Sequence, residues 1–262
     1  MSDALIILLG IGIGFATGVL SGLFGVGGAV ISTPAIRAVG ATPIEAVGST
    51  LPSIIPSAIS GALRYHRDGY VHLDSVAWVA LPGVAAAISG ALISDHVPGG
   101  GHVLMLATSL LVAYTAFRTA RGSDATRDVE AHDERRDSWW RLATIGLSAG
   151  LLSGLLGIGG GLLMVPLFVG WLHMPIKNAI GTSLACVAIL AVPSFITHQF
   201  LGHINWLYAG PLCIAVIPGA RVGAHLAITS AEHVLRKVVG IGLGVISIIY
   251  ATGEIVALLR GN

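Results

Sequence analysis

The chain has 262 residues, of which 54% are hydrophobic and only 10% charged, whereas a soluble domain carries roughly 25% charged residues. A net charge of +1 leaves no basic surface to argue for nucleic acid. Cys186 and Cys213 both fall in apolar runs, so they imply neither a disulfide framework nor a metal site by spacing.

The N-terminus, MSDALIILLG, has no Lys/Arg-rich leader region and no small-residue cleavage site, and reads as a retained first helix. Apolar segments follow at about 4–23, 29–39, 44–63, 74–95, 102–118, 140–156, 161–172, 176–199, 206–227 and 232–252. Most approach or exceed the roughly 17–25 residues that cross a bilayer. Segments 29–39 and 161–172 are shorter, and each follows a run of glycines. The stretch 118–141 holds six Arg and six Asp/Glu and reads as a solvated connector. The expected organisation is a first transmembrane repeat over 1–118, a hydrophilic linker over 119–138 and a second repeat over 139–262.

The two halves repeat each other. Residues 14–36 and 146–168 are identical at 10 of 23 positions: Gly14, Gly18, Leu20, Ser21, Gly22, Leu23, Gly25, Gly27, Gly28 and Pro34 in the first copy. Pro43 then matches Pro175, GSTL at 48–51 faces GTSL at 181–184, and Gly69 faces Gly202. Such a repeat is a recurrent sign of a secondary transporter. With five segments per half, loops on one side collect 11 Lys and Arg and loops on the other collect 2. The positive-inside rule then puts the linker in the cytoplasm and both termini outside. An odd number of segments per half inverts the second repeat against the first. A hairpin gives the same parity as two crossings, so charge leaves open whether 29–39 spans.

Bare backbone N–H and C=O groups are not tolerated in lipid. A helix broken by GVGG at 25–28, or by GIGGG at 157–161, therefore belongs inside protein or beside a wet cavity. Glycines allow positive φ and can turn successive N–H groups inward. The helix that follows begins with its positive dipole end at the break. The breaks suit an anion held near the midplane between two inverted repeats. The competing reading is that these glycines only let helices approach closely. No Lys follows as in a phosphate-binding loop, and no strand precedes.

GLFGVGGAVISTP and GLLGIGGGLLMVP, each followed by Pro43 or Pro175 and then GSTL or GTSL, resemble the sulfite exporter TauE/SafE family over essentially the whole chain. The resemblance implies a bacterial inner-membrane permease for sulfite, sulfonate-derived or related sulfur anions, ion-coupled or facilitative. A proton or sodium ion is the expected coupling partner, and no cofactor is implied.

The expected fold is thus an all-α polytopic membrane protein of two inverted repeats, with discontinuous helices meeting near the midplane. Candidate substrate-binding residues are Gly25, Gly27, Gly28, Gly157, Gly159 and Gly160 at the breaks, and the hydroxyls of Ser49, Thr50, Thr182 and Ser183. Ser21 and Ser153 sit beside the breaks. Arg221 is the lone full charge within a segment, a costly placement that usually marks a cavity or a partner; the alternatives are snorkelling and a structural ion pair. His66, His198 and His225 lie near segment ends. No catalytic or metal-binding residues are expected. A cation permease would want carboxylates or His/Cys clusters within spans, and these are scarce. An intramembrane enzyme would want a motif such as G-x-S-G or H-E-x-x-H, and neither occurs.

Overall fold

The structure is a computed structural model and describes residues 2–94, 139–156 and 160–259, with Leu110, Ala113, Tyr114 and Phe117 between them. The expected segment 102–118, the linker 119–138 and Gly157 and Gly159 fall wholly or largely outside the described residues. Among the described residues there are nine helices and no strand. The first half gives α1 (Asp3–Phe24), α2 (Ala29–Val39), α3 (Pro43–Arg67) and α4 (Leu73–Ser94). The second gives α5 (Trp139–Leu156), α6 (Gly161–Trp171), α7 (Ile176–Phe200), α8 (Trp206–Thr229) and α9 (Glu232–Leu259).

Five of these, over 3–24, 44–67, 73–90, 176–200 and 206–229, are long and apolar enough to cross a membrane. Their outward faces carry bare aliphatics, including Leu8, Leu81 and Ile214. A patchwork this apolar is unsuited to water and suited to lipid. The most buried spans are α3 and α7, which pack on each other at the centre.

Helix boundaries follow local chemistry. Thr42 and Glu45 form a reciprocal capping box ahead of α3, with Pro43 in its first turn. The Asn205 side chain caps α8 by accepting from the Leu207 N–H at 3.0 Å. Gly69 and Gly202, matched in the repeat, both take positive φ, 77° and 70°, in the turns that close α3 and α7.

Small residues set the helix pairs. Along α1, methyls placed on Gly10, Gly14, Gly18 and Gly22 would meet Pro211, Leu212, Val216 and Ala220 of α8 in turn, so the two helices run parallel at near-backbone contact. The other close pair is α4 with α5, where Gly83, Gly90, Gly146 and Gly150 play the same part. The first helix of each half therefore lies against the fourth helix of the other. A second exchange agrees. The Asn205 N–H donates to Ser49 Oγ at 2.9 Å, and the His72 N–H donates to Thr182 Oγ1 at 3.1 Å. Both observations are consistent with two repeats related by a two-fold exchange.

The short helices turn back. α2 starts beside Thr17, about two-thirds of the way along α1, and ends where Ile36 joins a cluster with Leu212, Ile13 and Tyr208, back toward the middle of α1 and the start of α8. α6 starts beside Ala149, midway along α5, and ends where the Trp171 ring meets that of Trp140, 5.6 Å between centroids. Eleven residues each rise about 16 Å, roughly half a hydrocarbon core. Each pair is a hairpin that enters and leaves at one end of the bundle, and the question left open by charge counting is settled against a full second crossing.

Candidate functional site

The tips of the two hairpins meet inside the bundle. A methyl on Gly161 would lie 2.6 Å from the Gly25 carbonyl oxygen and 2.9 Å from Val26 Cα. From α7, Ser183 Oγ donates to that same Gly25 carbonyl at 2.9 Å. The first break is made by Gly25, Gly27 and Gly28 at φ of 74°, 84° and 89°; at the second, Gly160 takes φ 69°. Only glycine enters this region without a steric penalty.

The break treats the two ends of its helices differently. Carbonyls at the end of α1 find partners: Ser21 O accepts from the Gly25 N–H, and Gly22 O accepts from the Tyr65 hydroxyl at 3.0 Å. Amides at the start of α2 do not. No hydrogen bond formed among the described residues uses the N–H of Val26, Gly27, Gly28, Ala29 or Val30, and all five residues are buried. Where α3 and α8 begin, near the surface, a side chain caps the first turn; α2 and α6, which begin inside, have no side-chain cap. An unsatisfied buried donor costs about 1–3 kcal/mol. A row of them around a positive helix end offers the donor chemistry that an anion would need.

Hydroxyls line α2 and the faces of α1 and α3 that pack near it. Thr50 Oγ1 donates to the Val47 carbonyl at 2.9 Å and lies 3.2 Å from Thr33 Oγ1. Ser53 Oγ donates to Thr50 O at 2.7 Å, and Ser57 Oγ to Ser21 Oγ at 3.0 Å. Thr17 lies against Gly28, and its hydroxyl is buried without a partner.

The structure therefore brings together Gly25, Gly27, Gly28, Gly160 and Ser183 at or beside the breaks, while Thr50 meets Thr33 one turn into α2. Ser49 and Thr182 lie farther out, where each ties down the loop before the fourth helix of the other half. Arg221 is not part of the cluster. It is exposed on α8, whereas Gly219, Ala220, Gly223 and Ala224 form the buried face toward α1. We therefore expect Arg221→Ala to keep wild-type anion affinity and melting temperature in detergent; a tenfold loss of affinity would return Arg221 to the site. Sequence reading missed Thr17, Thr33, Ser53, Ser57 and Tyr65. The signal for α3 was legible as hydroxyls at 49, 53, 57 and 60, a helical period within an otherwise apolar segment.

Fold and site together define a multi-pass helical membrane transporter whose two glycine-tipped hairpins meet in the core. The chain belongs to the sulfite exporter TauE/SafE family, whose model matches residues 10–250. It is similar to a "Probable membrane transporter protein" of Xylella fastidiosa (strain Temecula1 / ATCC 700964), 29% identical, with 91% of this chain and 92% of the relative covered. It is also similar to the "Probable membrane transporter protein YunE" of Bacillus subtilis (strain 168), 27% identical over 86% of this chain and 87% of that one. A third relative, the "Probable membrane transporter protein MJ0441" of Methanocaldococcus jannaschii, is 21% identical over 90% and 92%. No solved structure matches the chain.

Proposed function

We propose that this protein is a secondary transporter of the bacterial inner membrane for a small sulfur-containing anion such as sulfite, thiosulfate, sulfate or an organosulfonate. The observation that carries the reading is the row of five buried amides from Val26 to Val30 at the start of α2, whose N–H groups no hydrogen bond among the described residues uses. N–H groups are donors only, so they reject a bare cation and receive an anion. Among the described residues no group of three or more His, Cys, Asp or Glu side chains comes together, which weighs against a metal-ion permease. Gly160 and the start of α6 supply the facing surface, with Ser183 beside it. Rocking of one half on the other around the shared tips would expose the anion to each side in turn.

Sulfite, thiosulfate, sulfate and methanesulfonate added singly to purified protein should raise its melting temperature, and the best of them should enter proteoliposomes. Absence of any shift and any uptake would remove the anion reading.

The orientation we propose places the termini in the periplasm and the linker in the cytoplasm. Support comes from one end of the bundle, which gathers Arg64, Arg67 and Lys177 around the 68–72 turn. There Lys177 Nζ donates to the Ile228 carbonyl at 2.6 Å, and Asn178 pairs with His72 at 2.9 Å. A C-terminal alkaline phosphatase fusion should be active and a C-terminal fluorescent fusion dark; the opposite pattern would reverse the assignment.

A further inference from the structure

The two halves share a backbone plan but not a lining. Around the first break, Thr17, Ser21, Ser32, Thr33, Ser53 and Ser57 are hydroxylated and five of the six are at most 2% exposed, Thr33 being 5% exposed. At the matching positions the second half has Ala149, Ser153, Met164, Val165, Cys186 and Leu190. Of these six positions the second half keeps one hydroxyl, Ser153, which is buried and has no partner among the described residues, and has methyl-bearing or sulfur side chains at the other five.

Thr17 stands out within the first set. Its side chain sits beside Gly28, the residue before α2, with Cγ2 2.8 Å from where a Gly28 methyl would be. Its hydroxyl has no partner, although the residue is only 1% exposed. Next along α1, one turn on, Ser21 accepts from Ser57 and keeps its own proton to donate. A buried hydroxyl without a partner is a standing cost unless something else completes it.

We propose that the anion is held one-sidedly. Thr17 and the Ser57–Ser21 hydroxyl chain form its second point of attachment, beside the amides of α2, and the second half, Ser153 aside, offers apolar side chains at the matching positions. This rests on the anion reading above and sharpens it. The ligand is an oxyanion with several acceptor oxygens, one facing the amides and another facing Thr17 and Ser21. It travels with the α1–α2 hairpin and α3 while the second half moves past it.

The test measures sulfite and methanesulfonate affinity by titration, alongside the melting temperature without ligand, with chloride as the ionic-strength control. Thr17→Val keeps the shape and removes the hydroxyl. It should weaken both anions about tenfold or more, the loss of one hydrogen bond to a charged group. Its ligand-free melting temperature should hold or rise, because an unpaired buried hydroxyl is gone. A purely structural threonine would show the reverse. Thr17→Ser, which restores the hydroxyl, should recover most of the affinity, and Ser57→Ala should lose part of it. Ser194→Ala removes another buried, unpaired hydroxyl, in α7, and should leave affinity unchanged. Wild-type affinity in Thr17→Val, with wild type itself binding, would overturn the one-sided site alone. Failure of wild type to bind either anion would overturn the anion reading and this inference with it.

Discussion

Gly223→Leu should yield no folded, monodisperse protein in detergent. On α8, Gly223 faces the Val19 carbonyl of α1 so closely that even a methyl would overlap backbone, and Gly219 meets the Phe15 carbonyl in the same way. Overpacking against side chains costs about 1–3 kcal/mol because rotamers can yield. Here the obstacle is main chain held in a helix on both sides, so the two helices must separate along their length. That removes the most extensive contact α1 makes among the described residues and exposes small-residue faces that do not pack on lipid as well as on each other. Gly12→Leu is the matched control: nothing lies within 4 Å of a methyl there, and the substitution should leave expression and melting unchanged. A stable Gly223→Leu protein with wild-type size-exclusion behaviour would show that α1 and α8 are not packed as described.

Gly28→Ala should lose anion binding out of proportion to its loss of stability. A Cβ at φ 89° costs about 1–2 kcal/mol, and the new methyl would press on Thr17 at 2.8 Å. Both effects fall on the groups assigned to the anion. Gly40→Ala separates strain from site. Gly40 has φ 115° at the far end of α2, with open space around a methyl. It should show a comparable drop in melting temperature with wild-type affinity. If the two variants lose binding equally, and only as far as they unfold, Gly28 is a packing residue.

The repeat leads one to expect that Gly160→Ala, the matched change, acts like Gly28→Ala. The surroundings are different. A methyl on Gly160 would meet the Ala149 carbonyl at 2.6 Å, a backbone obstacle where Gly28 has a threonine side chain. Gly160→Ala should therefore cost more stability, and its effect on binding is not a clean report on the site. Likewise Gly25 and Gly27 turn their Cα faces toward Val165, Ile180, Ile54 and Val187, so their substitution is first a packing lesion. At Gly27 and Gly28 the Cα side packs while no hydrogen bond among the described residues uses the N–H; the Gly25 N–H is already held by Ser21 O.

Much of this was legible in the chain. Apolar segments of bilayer length, a charge-rich connector and a duplicated glycine motif follow from local composition and period, and they fixed the all-helical membrane class, the two halves and the location of the breaks. The motif also carried the family. Local sequence determines these things because the bilayer requires each span to satisfy its own backbone, so a helix and its interruptions are written residue by residue. What only the tertiary structure decided depends on which faces meet. The first hydroxyl of GSTL and GTSL holds a loop of the opposite half, while the second lies by the break in GTSL and against Thr33 of α2 in GSTL. Arg221, conspicuous in the sequence, sits on an outer face of α8, because the small residues of that helix claim the inner one. Thr17, inconspicuous among the glycines of α1, is brought against Gly28 by a chain reversal that no helical period announces. And the repeat, symmetric in its motifs, has buried hydroxyls at six of the compared positions in the first half and at one, Ser153, in the second, because matched positions share a backbone place but are free to differ in side chain.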